Sequence, residues 1–317
     1  MENDEYESVL MLAAKNTNVE VIKYVYATFK DTIYDINHKS RSEENILLIA
    51  ARCNTNVEVI QFICDTYKDI IDINNDHNYN NETALMLAAQ YNTNVNVIQY
   101  LCDTFKDTID INQQNYYGNT ALMLAARHNK NEKVLQCLCD TFKDKIDINK
   151  QDDHGYTAFM LAIQYFTNVD IIKYLCYTFK DTIDINIKNR CNRTALMLAA
   201  QYSTSEKVIQ YLYNTCKDTI DISKHDDDYG GNPFSFAVEF NTNIKIVKEI
   251  QYLYNVFKYP IAINLENDEY EPVLMLAAKN TNVAVIKDVY TTFKDTIYDI
   301  NCKSRSEENI LLLASRH

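Results

Sequence analysis

One short apolar string recurs along the chain at a nearly constant interval, and it limits the fold more than any other feature. Thr120-Ala121-Leu122-Met123-Leu124-Ala125-Ala126 is a full copy. Leu-Met-Leu-Ala-Ala also begins at Leu10, Leu85, Leu196 and Leu274, with weaker copies at Leu47, Phe159, Phe234 and Leu311. The nine starts lie 37, 38, 37, 37, 37, 38, 40 and 37 residues apart. A period in this range marks stacked supersecondary units, none of which can bury its apolar faces alone. The expectation is a single array over 1–317, with units starting near 8, 45, 83, 120, 157, 194, 232, 272 and 309. The chain ends at His317, just after a first helix, so the last unit is expected to be incomplete.

The third unit, 75–112, shows how each is built. Thr83 is a good N-cap, since its hydroxyl can accept from a free backbone donor of the first turn. Ala84 to Tyr91 then forms a short helix with a broad apolar face, and its paired alanines let neighbouring helices approach closely. Asn92-Thr93-Asn94 breaks the pattern and caps a second helix, expected over 95–106. In that helix Ile98, Leu101, Cys102 and Phe105 fall at i, i+3, i+4 and i+7, a helical stripe. Residues 107–112 read as an extended return with alternating Ile, and 113–119 as a polar turn in which Gly118 is free to take positive φ. With helices roughly 8–10 Å apart, nine units would make a curved rod on the order of 80 Å long.

Helix, helix and turn in this order resemble the ankyrin repeat. Thr83-Ala84-Leu85-Met86-Leu87-Ala88 stands where the family has Thr-Pro-Leu-His-x-Ala. Asn115-Tyr116-Tyr117-Gly118, Asp152-Asp153-His154-Gly155 and Asp227-Asp228-Tyr229-Gly230 look like its Asp-x-x-Gly turn. Asn78–Asn81 and Asn189–Asn192 keep the pattern with Asn in the Gly place, a residue tolerated in the left-handed region. Asp110-Ile111-Asn112, Asp147-Ile148-Asn149 and Asp184-Ile185-Asn186 resemble the closing Asp-Val-Asn. The resemblance implies an all-α, ankyrin-type solenoid of stacked helix-turn-helix repeats with extended hairpin turns.

The departures are specific. The family period is 33, and the surplus falls as one residue between the helices and three at the end of the second, which should be about a turn longer. The family Pro survives only at Pro233, and the family His is Met in most units. Lys39-Ser40-Arg41-Ser42-Glu43-Glu44 lacks both Asp and Gly, so a loose hairpin is expected there. The seventh unit is the most irregular: its second helix is expected over 244–257, ending before Tyr259-Pro260, with a change in stacking angle. Residues 2–50 recur as 266–314 with 43 of 49 positions identical, which points to duplication of a block. The changes Glu20 to Ala284, Tyr24 to Asp288 and His38 to Cys302 should lie mostly on the surface.

Composition excludes several classes. The net charge of −13, from 44 acidic and 31 basic residues, argues against nucleic acid, whose phosphates need a basic stripe. No segment is long and apolar enough for a membrane. The acidic start is unlike a secretory leader. Nine cysteines, an odd number without framework spacing, fit reduced thiols in an intracellular, cytoplasmic protein. Cys64, Cys102, Cys139 and Cys176 share one repeat phase with Tyr26 and Tyr213, so they read as a packing column. The sequons at Asn81 and Asn192 have no secretory route to use.

Nothing points to catalysis or a cofactor. Four glycines, Gly118, Gly155, Gly230 and Gly231, exclude Gly-rich phosphate loops. Asp152-Asp153-His154 and His225-Asp226-Asp227-Asp228 read as turns in preference to metal sites, and Cys137-Leu138-Cys139 as helix packing. An enzyme would need converging titratable groups in a cleft. What remains is surface that folding does not require. The resemblance implies a protein or peptide partner held by the turn tips and the exposed ends of the first helices. The helix-end pairs are Gln90/Tyr91, Arg127/His128, Gln164/Tyr165, Gln201/Tyr202 and Glu239/Phe240. The turn residues are Tyr79, Glu82, Tyr116, Tyr117, Asn119, Asp153, His154, Tyr156, Arg190, Arg193, Asp228 and Tyr229. Tyrosine gives large, rigid contact area, although 24 tyrosines make composition a competing explanation. The alternative is the client-capturing part of a larger targeting adaptor, with ubiquitin-ligase recruitment by a missing domain. The gene beyond His317 would separate the two readings.

Overall fold

The computed structural model describes residues 7–30, 38–166, 168–226, 231–259 and 273–294. The turns expected before units one, eight and nine, the Asp228-Tyr229 tip, Pro260 and the incomplete last unit lie outside the described residues. The chain divides into two compact units, 1–153 and 154–317, and each is described by itself.

The first unit contains α1 (Val9–Ala14), α2 (Val19–Phe29), α3 (Ile46–Cys53), α4 (Val57–Tyr67), α5 (Ala84–Tyr91), α6 (Val95–Thr104), α7 (Ala121–His128) and α8 (Glu132–Phe142). The second contains α9 (Ala158–Tyr165), α10 (Val169–Thr178), α11 (Ala195–Tyr202), α12 (Glu206–Cys216), α13 (Pro233–Phe240), α14 (Ile244–Val256), α15 (Val273–Lys279) and α16 (Val283–Phe293). First helices pack on first helices and second on second: α1, α3, α5 and α7 form one row, and α2, α4, α6 and α8 the other. The second unit repeats this with α9, α11, α13, α15 and with α10, α12, α14, α16.

The recurring string is the inner row. In α7, Ala121 to Ala126 are all buried, as are Ala84 to Ala89 in α5 and Ala195 to Ala200 in α11. A helix apolar all round is a core helix, and alanine makes the close approach possible. Each begins with the expected cap: Thr83, Thr120, Thr157 and Thr194 accept from the N–H three residues on. The methionine that stands for the family His keeps a faint polar role. The Thr120 N–H points at Met123 Sδ, 3.4 Å away, and the Thr194 N–H at Met197 Sδ at the same distance.

The second helices are shorter in places than the stripe suggests. α6 ends at Thr104, because Phe105 leaves the helical region with φ −114° and ψ 20°. The return is not a strand; among the described residues the one β-bridge is isolated, between His77 and Thr83. Ile109 and Ile111 still alternate inward around exposed Asp110. α14 runs to Val256, with Phe257 as its C-cap. Of the duplicated residues, Glu20 and Tyr24 are exposed as expected. Asp288, in the place of Tyr24, lies 3.3 Å from Lys248 of the neighbouring helix.

The loop between the helices supplies the lateral ties. Asn92 Nδ2 donates to Ala51 O at 3.1 Å and to Asn54 O at 2.8 Å. Asn54 does the same to Ala14 O and Asn16 O, and Asn129 to Ala89 O and Asn92 O. In the second unit Asn241 reaches Ala200 O and Ser203 O, and Asn280 reaches Val238 O and Asn241 O. The second Asn of the loop works twice: Asn94 Oδ1 caps α6 through the Asn96 N–H, and its Nδ2 donates to Thr55 O at 2.7 Å. A further ladder runs through the closing Asn of several repeats. Asn74 Nδ2 donates to Thr108 O and its Oδ1 accepts from the Asp110 N–H, with Asn112 and Asn186 in the same roles. Buried backbone carbonyls at the helix ends need such partners.

Candidate partner-binding surface

The turns before α3, α5, α7 and α11 are one shape made from different residues. Asn115 N–H bonds to Asn119 O at 3.0 Å, and Gly118 N–H returns to Asn115 O at 3.0 Å. The same pair of bonds closes Asn78–Glu82 and Asn189–Arg193. Asn81 and Asn192 sit at φ 62° and 57°, as expected for Asn in the Gly place. Ser40–Glu44 forms the turn too, with Glu43 at φ 61°. The expected loose hairpin is therefore a regular one: the Ser40 hydroxyl accepts from the Glu44 N–H, replacing the Asx side chain.

Neighbouring tips are joined by backbone bonds. Tyr79 N–H donates to Ser42 O, Tyr116 N–H to Asn80 O, Asp153 N–H to Tyr117 O, and in the second unit Arg190 N–H to His154 O. Gly118 is required at one such approach: at φ +73° a Cβ would lie 2.7 Å from Asp153 N. These bonds fix the backbone and leave the side chains of Tyr79, Tyr116, Tyr117 and Asp153 exposed, with His154 and Arg190 exposed in the second unit.

Some expected contact residues face inward. Glu82 is 6% exposed and accepts from Asn78 Nδ2 at 2.9 Å; Asn119 is 5% exposed, its N–H donating to Asn115 Oδ1. Both hold the turn and are not displayed. Arg193 is half-buried, 4.8 Å from the Phe236 ring and with Nε 3.5 Å from Asp226 Oδ2. Tyr156 is also half-buried. A turn residue directly before the N-cap points back at the core, which the register of the turn did not reveal. Asp228 and Tyr229 lie outside the described residues.

The first helices end on a repeated pair, one residue half-buried and the next exposed. Tyr91 is 53% exposed, Tyr165 50%, Tyr202 40% and Phe240 48%, and His128 is exposed at the same phase. The Tyr91 phenol is pushed above its ordinary range by burial and then by the Glu82 carboxylate, so it is neutral and a hydrogen-bond donor. The half-buried partners differ between the units. In the first, Lys15 pairs with Glu7, Arg52 Nη2 lies 2.7 Å from Glu44 Oε2, and Arg127 Nη2 lies 2.7 Å from Asp152 Oδ2. The carboxylates are buried and the cations reach the surface. In the second unit the same position holds Gln164, Gln201 and Glu239, the last paired with Lys279 at 3.5 Å. Gln90 Oε1 and Gln201 Oε1, at one phase, are buried with no hydrogen-bond partner among the described residues.

The sequence reasoning missed the asparagine ladders and the ion pairs behind the helix ends. A signal for the ladder was present: Asn16-Thr17-Asn18, Asn54-Thr55-Asn56, Asn92-Thr93-Asn94, Asn241-Thr242-Asn243 and Asn280-Thr281-Asn282 recur in phase. One capping role explains only the second Asn. The cysteine column does form, with Cys64, Cys102, Cys139 and Cys176 buried, and burial pushes the Cys64 thiol up to about 12. No described helix is long and apolar enough to cross a membrane.

Comparison with known proteins agrees with this geometry. The ankyrin repeats family model, describing three copies, matches residues 10–115 and 103–189. The ankyrin repeat domain of Bcl-3, described as a unique member of the IkappaB protein family, superposes with a TM-score of 0.58. It shares 16% identity, over 78% of this chain and 100% of that one. A chain from the complex of the Bd0816 predatory endopeptidase of Bdellovibrio bacteriovorus with immunity protein Bd3460 superposes with a TM-score of 0.51. It is 22% identical, over 68% of this chain and 99% of that one. No curated protein matches by sequence. At these identities the two structures speak for the fold alone, and the family match spans more than half of the 317 residues. Capped first helices, Asx turns closed through a left-handed residue and a matching family model agree: the chain belongs to the ankyrin repeat family.

Proposed function

We propose that this protein is a non-enzymatic binding module that captures another protein or a peptide on the ends of its first helices and its turn tips. The observation that carries the reading is the phase of the exposed aromatics. Tyr91, Tyr165, Tyr202 and Phe240 stand at one position of the repeat, each beside a helix whose other residues are consumed by the core. An aromatic ring half in water offers contact area at low entropic cost. The matched Bd0816–Bd3460 structure is itself a protein complex, which supports a protein partner. Reduced, buried cysteines fit an intracellular setting.

Replacing Tyr91, Tyr165 and Tyr202 together by Ala tests the reading. Helicity by circular dichroism should be unchanged, while capture of the host partner falls by about tenfold or more, the ordinary size of a lost hot spot. Unchanged capture with intact helicity would remove the helix ends as the site.

A further inference from the structure

Glu7, Glu44 and Glu82 each stand directly before the cap of a first helix. Two of them have a cation of their own: Lys15 pairs with Glu7, and Arg52 Nη2 lies 2.7 Å from Glu44 Oε2. Each cation follows its glutamate by eight residues. Glu271 and Glu308, at the same repeat phase, have Lys279 and Arg316 at that spacing. Glu82 is the exception, with Gln90 eight residues on. It is buried, and no cation among the described residues pairs with it. Its carboxylate is held by amides alone, from Asn78 Nδ2 at 2.9 Å and, by a long bond, from Asn115 Nδ2 at 3.4 Å. Gln90 Oε1 is buried and accepts no hydrogen bond among the described residues. Two acceptors are therefore short of donors at the positions where Arg52 and Glu44 meet one repeat earlier. His128, on the neighbouring α7, supplies no charge: burial and then Arg127 lower its pKa from 6.5, which leaves it neutral at neutral pH. A buried carboxylate without a cation is costly.

We infer that Glu82 and Gln90 form a subsite for an arginine side chain of the protein or peptide partner, an inference that rests on the reading of the first-helix ends as the binding surface. Burial of the carboxylate does not exclude a guanidinium. The Glu44 and Asp152 side chains are 4% and 0% exposed, yet Arg52 and Arg127, at 37% and 22%, reach them from the surface to 2.7 Å. The Gln90 side chain ends where an arginine continues to its guanidinium, so the partner supplies the group that this repeat lacks. Turning the Gln90 amide aside breaks no bond at Oε1. The planar fork can donate to Glu82 and to Gln90 Oε1 together, and its face can lie on the exposed ring of Tyr91, the next residue. Lysine brings a point charge and no planar face. The net charge of −13 favours a basic partner.

N-acetylarginine methylamide, titrated into the isotope-labelled full-length protein and followed by NMR, gives the test. Saturable shifts should centre on Glu82, Gln90 and Tyr91 and include the Gln90 side-chain amide. The neutral citrulline analogue, nearly the same in shape, should cause none of them. Glu82→Gln keeps an acceptor for Asn78 Nδ2 and should weaken the probe at least about tenfold. Gln90→Arg should abolish binding by filling the subsite from within. It should also raise the urea midpoint in the wild-type background and not beside Glu82→Gln, a readout that needs no probe. The subsite is overturned if the probe does not bind, if its shifts spread over the acidic surface without saturating, if citrulline acts equally, or if Glu82→Gln binds as wild type does. Such a result leaves the binding surface standing, because capture by the Tyr91, Tyr165 and Tyr202 variant decides that separately.

Discussion

The first and second units are built from the same repeat, yet they are tied together and decorated differently. In 1–153 the asparagine after each first helix is present at Asn54, Asn92 and Asn129, and each one donates twice to the repeat before it. In 154–317 the position begins as Phe166 and Ser203 before Asn returns at 241 and 280. Ser203 Oγ is too short to take over the bonds and, among the described residues, is buried without a hydrogen-bond partner. The helix ends differ in part: Lys15, Arg52 and Arg127 stand over carboxylates in the first unit, where Gln90 is the exception, while the second has Gln164 and Gln201 beside tyrosines and Glu239 paired with Lys279. The first unit has more of its lateral ties in side-chain amides; in the second, ion pairs such as Lys245–Glu206, Lys248–Asp288 and Lys279–Glu239 join neighbouring repeats. In a repeat array stability is close to a sum over neighbouring interfaces, so such local differences should be visible one interface at a time.

The largest expected effect breaks the better-tied side. Asn92→Ala leaves two buried carbonyls without a donor and should cost about 3 kcal/mol, read as faster amide exchange in α3 and α5. Ser203→Ala, at the same phase in the second unit, should change little. Equal costs at the two positions would dissolve the contrast. Arg127→Met comes next. It takes the cation from the fully buried Asp152 carboxylate, and partial exposure of Arg127 brings the usual cost of breaking a buried pair down to about 2 kcal/mol. Gln201→Met should be neutral by urea unfolding, since its Oε1 has no partner to lose. Repairing the second unit should give a smaller gain. Ser203→Asn supplies the missing amide and should raise stability by about 1 kcal/mol, seen as a higher urea midpoint; a fall would mean that the interface beside Phe166 cannot accept the side chain.

The smallest effect is pH dependence at His128. Burial first, then the Arg127 charge, lowers its pKa from 6.5. The unfolded chain then binds the proton more readily, so the contribution is present above about pH 6.5 and is lost as the pH falls through the folded value. His128→Gln should lose less stability than wild type between about pH 7 and about pH 5.5. The ring is largely exposed, so the difference should be slight, and a steeper loss in the variant would reverse the sign.

Much of the scaffold was legible because it depends on patterns local in sequence. The cap at Thr83, the bounds of α5 and the left-handed Asn81 and Asn192 all follow from residues within a few positions of one another. The ladders were not legible because they join residues about one repeat apart, and because Asn92 also makes sense as a loop residue. Ser40–Glu44 shows the converse: the turn survives without its usual residues, since Ser40 can accept as Asx does and the tip bond from Tyr79 holds it. Exposure at the helix ends was legible from the helix phase, exposure in the turns only in part. Tyr91 and Tyr202 emerge where the helix pattern puts them, while Glu82 and Asn119 turn inward because the turn needs their polar groups.

The proposed binding surface lies where the repeats disagree, at the first-helix ends, and abundant tyrosine elsewhere reflects composition. Site-specific photo-crosslinking tests this directly. A benzophenone amino acid is placed in separate proteins at Tyr91, Tyr165 and Tyr202, and as controls at Tyr24 and Tyr177, which are at least as exposed but sit on second helices. Partner adducts are expected from the first three positions and none from the controls. Adducts from Tyr24 or Tyr177, with none from the helix ends, would contradict it.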